Sequence, residues 1–421
     1  MLDERIKNFL PSGKNAKDSL VTLSGDFFSK GLMFIVNLVL MKYSSIQDFG
    51  LFSIYVTFLG LGQQFSDFGI NQGIIKYYSL YKTQNFERAN AFLDFGFKIK
   101  FMLAFSLSLI YLLLVYPTAN YVYTDTHITP LFIAAIGTFG ASLLDFIQSV
   151  FQAKQDYKTM AITKILEGFL KLSGLFLLFA LKEFTIVKTF WIYTTVPLIV
   201  FLIAFTMYKP VKTAYDKKDI FRELYGFSKW IFLASITTMI MARLDILMLS
   251  FFNVNDFAKI AIYSAGIKLC VPLQVAATSM ITVFFPKAME IKDKSEAKGF
   301  IFSTLKITLP LSIGFIMFSV LVKIFIPVIF PNYVESLPIF YILVFAFILN
   351  LIGNPITIII FAINQQKKAV VINIIQFFIN IIANIILYYY FSVIGIAFGT
   401  LITFVTGAIL SSYYIFRYIR K

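Results

Sequence analysis

Histidine and cysteine are almost missing from this chain, with one of each in 421 residues. A single cysteine, Cys270, excludes an intramolecular disulfide, and a lone His127 beside Pro130 reads as a solvated loop residue, so no Cys/His metal site is expected. Charge is scarce as well: 14% of residues are Asp, Glu, Lys or Arg, against about 25% in ordinary soluble chains. No G-x-x-x-x-G-K-[ST] loop occurs, so nucleotide hydrolysis is not built into the chain. No nucleophile can be matched with a base, so we expect no enzyme and no cofactor. Alternating segments of about ten residues are also missing, which excludes a β-barrel. The opening MLDERIKNFLPSGKNAKDS has mixed charges and no apolar run, so it reads as a lead-in and not as a removable signal.

What the chain does have is hydrophobic length. Apolar residues make up 59% of it, 50 residues are Phe, and the mean hydropathy is +0.81. Uncharged runs such as Phe101–Pro117 and Ile372–Ser392 are too long for so few polar residues to cover in water. The expected fold is an all-α polytopic membrane protein of about twelve transmembrane helices, in two six-helix lobes around a central cavity. The spans are read at roughly 20–41, 47–70, 95–116, 129–151, 159–181, 186–207, 227–252, 258–286, 301–330, 337–363, 369–391 and 393–416.

The connections carry Lys and Arg very unevenly. With the N-terminus on one side, that side holds 23 basic residues and the other holds Lys42, Lys182, Lys188 and Lys259. Such a bias places both termini in the cytoplasm. It also accounts for most of the net charge of +15, which would otherwise suggest a nucleic-acid partner. The longest and most charged connection, 209–222, divides an N-terminal lobe (1–208) from a C-terminal lobe (223–421). A faint repeat agrees with this division: Asp48-Phe49 followed by Ile54-Tyr55 returns 208 residues later as Asp256-Phe257 and Ile262-Tyr263. Both copies open the second span of a half, as in a parallel repeat.

Five charges fall near mid-depth: Lys30, Glu167, Lys171, Arg243 and Lys268. Facing lipid, they would together cost roughly 12–18 kcal/mol, so they must face the interior. Asp26–Lys30 and Glu167–Lys171 have the four-residue spacing of pairs within one helix. Asp245 points away from Arg243, and Lys268 has no acid within four residues, which leaves these two cations for an anionic ligand. Asp67 and Asp145 lie near span ends as solvated or capping groups, and Lys98, Lys100, Lys164 and Lys306 are expected to snorkel. Asn373, Gln376, Asn380 and Asn384 line one helical face, with Asn350 and Asn354 on the preceding span. Such a stripe suits either hydrogen bonds between helices or contact with sugar hydroxyls.

The stretch from Gly226 to Pro286 carries a family likeness. Phe227-Ser228-Lys229-Trp230, Arg243-x-Asp245-x-x-Met248-Leu249, Tyr263-Ser264-Ala265-Gly266 and the closing Pro286 resemble the polysaccharide (Wzx-type) lipid-linked oligosaccharide flippases. Asp67-Phe68-Gly69-Ile70 adds to the likeness. These flippases belong to the multidrug/oligosaccharidyl-lipid/polysaccharide exporter superfamily. The resemblance implies translocation of undecaprenyl-diphosphate-linked oligosaccharide across the bacterial cytoplasmic membrane for surface polysaccharide synthesis, by alternating access coupled to a cation (proton or sodium). Glycosyltransferases and a polysaccharide polymerase would be its partners. Arg243, Lys268, Lys30 and Lys171 are then candidates for the diphosphate, Asn373, Asn380 and Asn384 for sugars, and Glu167 or Asp245 for ion coupling. The alternative is a multidrug-type cation antiporter of the same superfamily, which would be expected to hold unpaired acids where this chain holds bases. The lipid II flippases usually carry two further helices, and a polymerase would need large outer loops; neither feature is present.

Overall fold

The computed structural model describes residues 14–122, 128–208, 217–253, 256–288, 291, 293–363 and 365–420. His127, the opening lead-in and most of the 209–222 linker lie outside the described residues. Thirteen α-helices and one short 3-10 turn are found among the described residues. The helices are α1 (Lys14–Tyr43), α2 (Ile46–Phe65), α3 (Ile70–Tyr81), α4 (Phe86–Val122), α5 (Ile128–Ala153), α6 (Tyr157–Ala180), α7 (Ile186–Tyr208), α8 (Lys217–Phe252), α9 (Phe257–Leu269), α10 (Val271–Ala288), α11 (Lys294–Ile329), α12 (Ser336–Ala362) and α13 (Gln366–Arg420).

Among the described residues, seven helices are long and apolar enough to cross a membrane unaided, and α9 with α10, bent by 46°, makes an eighth span. One of the seven, α13, contains two traverses that fold back at Ser392, whose φ of 53° breaks the helix. Helices α2, α6 and α8, of 20, 24 and 36 residues, complete the twelve. Their length suffices at about 1.5 Å per residue, and the polar residues inside them lower their hydropathy.

The second span differs from its expectation. It does not end near residue 70 but breaks there and continues as α3. Phe68 and Gly69 take positive φ angles (46° and 75°), and the chain re-enters a helix whose buried face is Ile70, Ile74 and Tyr78. Gly69 is required at the break: a Cβ there would lie 2.4 Å from the Ser228 carbonyl oxygen of α8. The eighth span also breaks, with a 46° bend at Cys270, whose backbone stays right-handed. Each half of the chain therefore has a discontinuous second helix, the arrangement that in transporters exposes helix ends at a binding level.

Packing differs between the two ends of the bundle. At the end away from the basic connections, one buried cluster draws on both halves, including Phe49 and Tyr55 of α2, Tyr263 of α9 and Phe340 of α12. Tyr55 and Tyr263, the repeat-related tyrosines, are 1% and 0% exposed in this shared core. At the basic end the cores separate. One gathers α3, α4, α5 and α7 with the start of α8; the other gathers α10, α11, α12 and the tail of α13. The halves thus share one core at the far end, while at the basic end they keep separate cores and meet through the start of α8.

Candidate functional site

Arg243 lies at the seam between the halves, and Lys268 lies on the adjacent α9. The Arg243 guanidinium lies against Gly60 of α2, where a Cβ would sit 2.6 Å from a guanidinium nitrogen. A side chain there would press the guanidinium tip aside. Lys268 stands in the last turn of α9, beside the break of the eighth span. Neither cation has a carboxylate within ion-pair distance among the described residues. Between Ser235 and Met248, no described residue of α8 is fully buried, so the helix that carries Arg243 packs loosely where the charge lies.

Asp245 turns the other way, as its two-residue offset from Arg243 requires. It accepts hydrogen bonds from Tyr263 of α9, from Thr400 Oγ1 at 2.7 Å and from Asn384 Nδ2 at 2.9 Å. Asn384 in turn reaches Asn380, and Asn380 Nδ2 donates to Thr403 Oγ1 at 3.2 Å. One carboxylate thus ties together α8, α9 and both traverses of α13. Asn384 Oδ1 is buried beside it with no donor. Three donors thus meet Asp245, and the Asn384 Oδ1 is the acceptor left unused beside it.

The amide stripe divides in two. Asn380 and Asn384 are 3% and 0% exposed and belong to the Asp245 network, in the role of interhelical hydrogen bonds. Asn373 instead lines a hollow of about 190 Å³ together with Asn350, Asn354, Gln376, Met241 and Ser411. The two sequence stripes, on α12 and α13, therefore meet across one cavity.

The remaining sequence candidates lie apart from the Arg243–Lys268 pair. Lys171 is buried, bonded to Glu167 at 2.5 Å, and stands over the Tyr193 ring at 4.8 Å. Glu167 and Lys171 form the expected pair within one helix, which neutralises both. Asp26 and Lys30 do not pair with each other. Asp26 binds Lys164 of α6 at 2.8 Å, and Lys30 donates to Thr278 of α10 at 3.2 Å. Helix α6 packs closely enough on α1 for Lys164 to take the acid, and Lys30 is left to reach across to the other half.

Lys100 also departs from expectation. It does not snorkel but is 0% exposed, held by Asp67 at 3.3 Å and Asp145 at 3.8 Å. Asp67 also accepts from the backbone N–H groups of Gly69 and Asn71, so the buried lysine steadies the acid that caps the break of the second span. Nearby, Ser228 Oγ of α8 donates to Gly69 O at 3.0 Å, and Arg88 pairs with Glu223 of α8. The basic end is therefore latched between α3–α4 and the start of α8. None of Gly60, Thr278, Thr400 or Glu223 could be tied to a site from sequence, because each acts through a neighbour more than a hundred residues away.

A family model described as "Polysaccharide biosynthesis protein" matches residues 15–292. The chain belongs to that family. Among solved structures, "Lipid II flippase MurJ, inward closed conformation" is similar at 17% identity and a TM-score of 0.73, covering 94% of this chain and 87% of that one. An inward-facing multidrug resistance MATE family transporter of the MOP superfamily is similar at 11% identity and a TM-score of 0.73, covering 96% and 98%. An outward-facing MATE family transporter reaches a TM-score of 0.64 at 13% identity, covering 98% and 97%. No curated protein matches the chain. At these identities the likeness shows a shared fold of transporters and flippases.

Proposed function

We propose that this protein translocates a polyprenyl-diphosphate-linked oligosaccharide across the bacterial cytoplasmic membrane for surface polysaccharide synthesis. The observation that carries this reading is Arg243, set against Gly60 at the seam of the halves, with Lys268 on the neighbouring α9: two cations lacking an acidic partner among the described residues. A diphosphate, with two or more negative charges, would satisfy both groups. Lys30, across from α10, would guide the phosphate, while Glu167–Lys171 would hold α6 in shape. Asn373 with Asn350 and Asn354 would meet sugar hydroxyls, and Asp245, anchored by Asn380 and Asn384, would bind the coupling proton or sodium ion.

The parts 1–208 and 223–421, joined by 209–222, would rock as two lobes. Their shared core at one end and their separate cores at the other, bridged through the start of α8, suit rocking about the shared end, with both termini in the cytoplasm. A multidrug-type cation antiporter would need unpaired acids where this seam has bases.

The test is complementation of a strain lacking its own flippase. Arg243→Ala and Gly60→Val, which pushes the guanidinium aside, should abolish surface polymer while the protein still reaches the membrane. Undiminished polymer from both variants would refute the proposal.

A further inference from the structure

The basic end of the C-terminal half has a cationic hollow that neither Arg243 nor Lys268 lines. About 480 Å³ in volume, it is lined by Lys294 of α11, Gln365, Lys368, and Tyr414, Arg417 and Tyr418 near the end of α13. Three side chains bear positive charge, and no carboxylate lines the hollow among the described residues. Lys368 is held in place by Gln365 Oε1 at 2.5 Å and by the Tyr414 ring at 4.8 Å. Three cations and two phenol hydroxyls form a donor set for a phosphate group.

An almost wholly apolar groove of about 320 Å³ runs beside it, between α11 and the tail of α13. Ile301, Phe302, Leu305, Ile415 and Phe416 line it, and Lys298 stands at its basic rim. Lys294 and Lys298 lie four residues apart on one face of α11, so the wall of the groove continues into the cationic hollow. The groove opens outward: Phe302 and Phe416 are 64% and 70% exposed.

We infer that hollow and groove together form a site for an anionic glycerophospholipid, the phosphate headgroup held by Lys294, Lys368 and Arg417 and part of one acyl chain lying along Ile301, Phe302 and Phe416. The charge pattern selects an anionic headgroup at the membrane surface, as basic pockets between membrane helices do. The groove selects the membrane's own lipid over the transported one, because it is short, faces outward and does not lead to the seam. The inference does not depend on the substrate proposed above. Its consequence would be a lipid wedge that fixes α11 against α13 at the basic end of the bundle.

The experiment is native mass spectrometry of the full chain, delipidated and then supplied with phosphatidylglycerol, phosphatidylethanolamine or undecaprenyl diphosphate. Phosphatidylglycerol should be retained at least tenfold more strongly than phosphatidylethanolamine. The combined change Lys294→Gln, Lys368→Gln and Arg417→Gln should remove that preference, and Ser412→Trp, which fills the groove without touching the cations, should weaken retention severalfold. Neutralising Lys76, Lys82 and Arg222 at the same end should leave retention unchanged. Should the combined variant misfold, Lys368→Gln and Arg417→Gln singly must each lower retention. Retention that survives these changes, an equal loss in the control, or undecaprenyl diphosphate held by the same residues in place of phosphatidylglycerol would each overturn the inference.

Discussion

Removing the buried ammonium of Lys100 is the sharpest perturbation the structure offers. Its side chain is 0% exposed, while those of Asp67 and Asp145 are 18% and 36% exposed. At an effective dielectric of about 20, a unit charge pair at these distances attracts by about 4–5 kcal/mol, which offsets the cost of taking the lysine out of water. Lys100→Met would leave two carboxylates facing each other without a counter-charge. Breaking a buried pair in this way costs about 3–5 kcal/mol, and the partial exposure of Asp145 argues for the lower end. The triple variant with Asp67→Asn and Asp145→Asn leaves no charge stranded and should recover most of the loss. Cys270 supplies the assay: it is the only cysteine and is fully buried, so a thiol-reactive dye reports unfolding of the purified protein on heating. Lys100→Met should melt well below the wild type, with the triple variant between them. A Lys100→Met protein that melts with the wild type, or a triple variant no better than the single, would refute the account of this triad.

Two further outcomes are expected. Asp245→Asn keeps the shape of the hub but removes its charge, so transport in vesicles should lose its stimulation by a proton or sodium gradient, an effect of about 5–150-fold for coupling of ordinary strength; a fully stimulated Asn variant would exclude Asp245 as the coupling group. Glu223→Arg places like charges at the latch to Arg88 and should reduce surface polymer, whereas adding Arg88→Glu should restore it; failure of the double reversal to rescue would show that the pair does not hold α4 against α8.

Much of the architecture was legible from composition and charge. Hydrophobic length determined the twelve spans, because a backbone in lipid must satisfy its own hydrogen bonds within each segment. The four-residue spacing of Glu167 and Lys171 was enough to pair them, and the two-residue offset of Arg243 and Asp245 was enough to send them to different neighbours, since both follow from local helix geometry. The break at Cys270 was not legible, because apolar residues continue through it; at Phe68–Gly69 the polar Ser66, Asp67, Asn71 and Gln72 mark an end to the span but not the helix that resumes beyond it. Nor was the fate of charges with two candidate partners: Asp26 took Lys164 in place of Lys30, and Lys100 stayed inside between Asp67 and Asp145. The amide stripe on α13 read as one face, yet the structure gives Asn380 and Asn384 to Asp245 and Asn373 to a cavity. Sequence alone determines which face a side chain occupies on its own helix; which other helix meets that face depends on contacts across more than a hundred residues, and only the folded chain decides them.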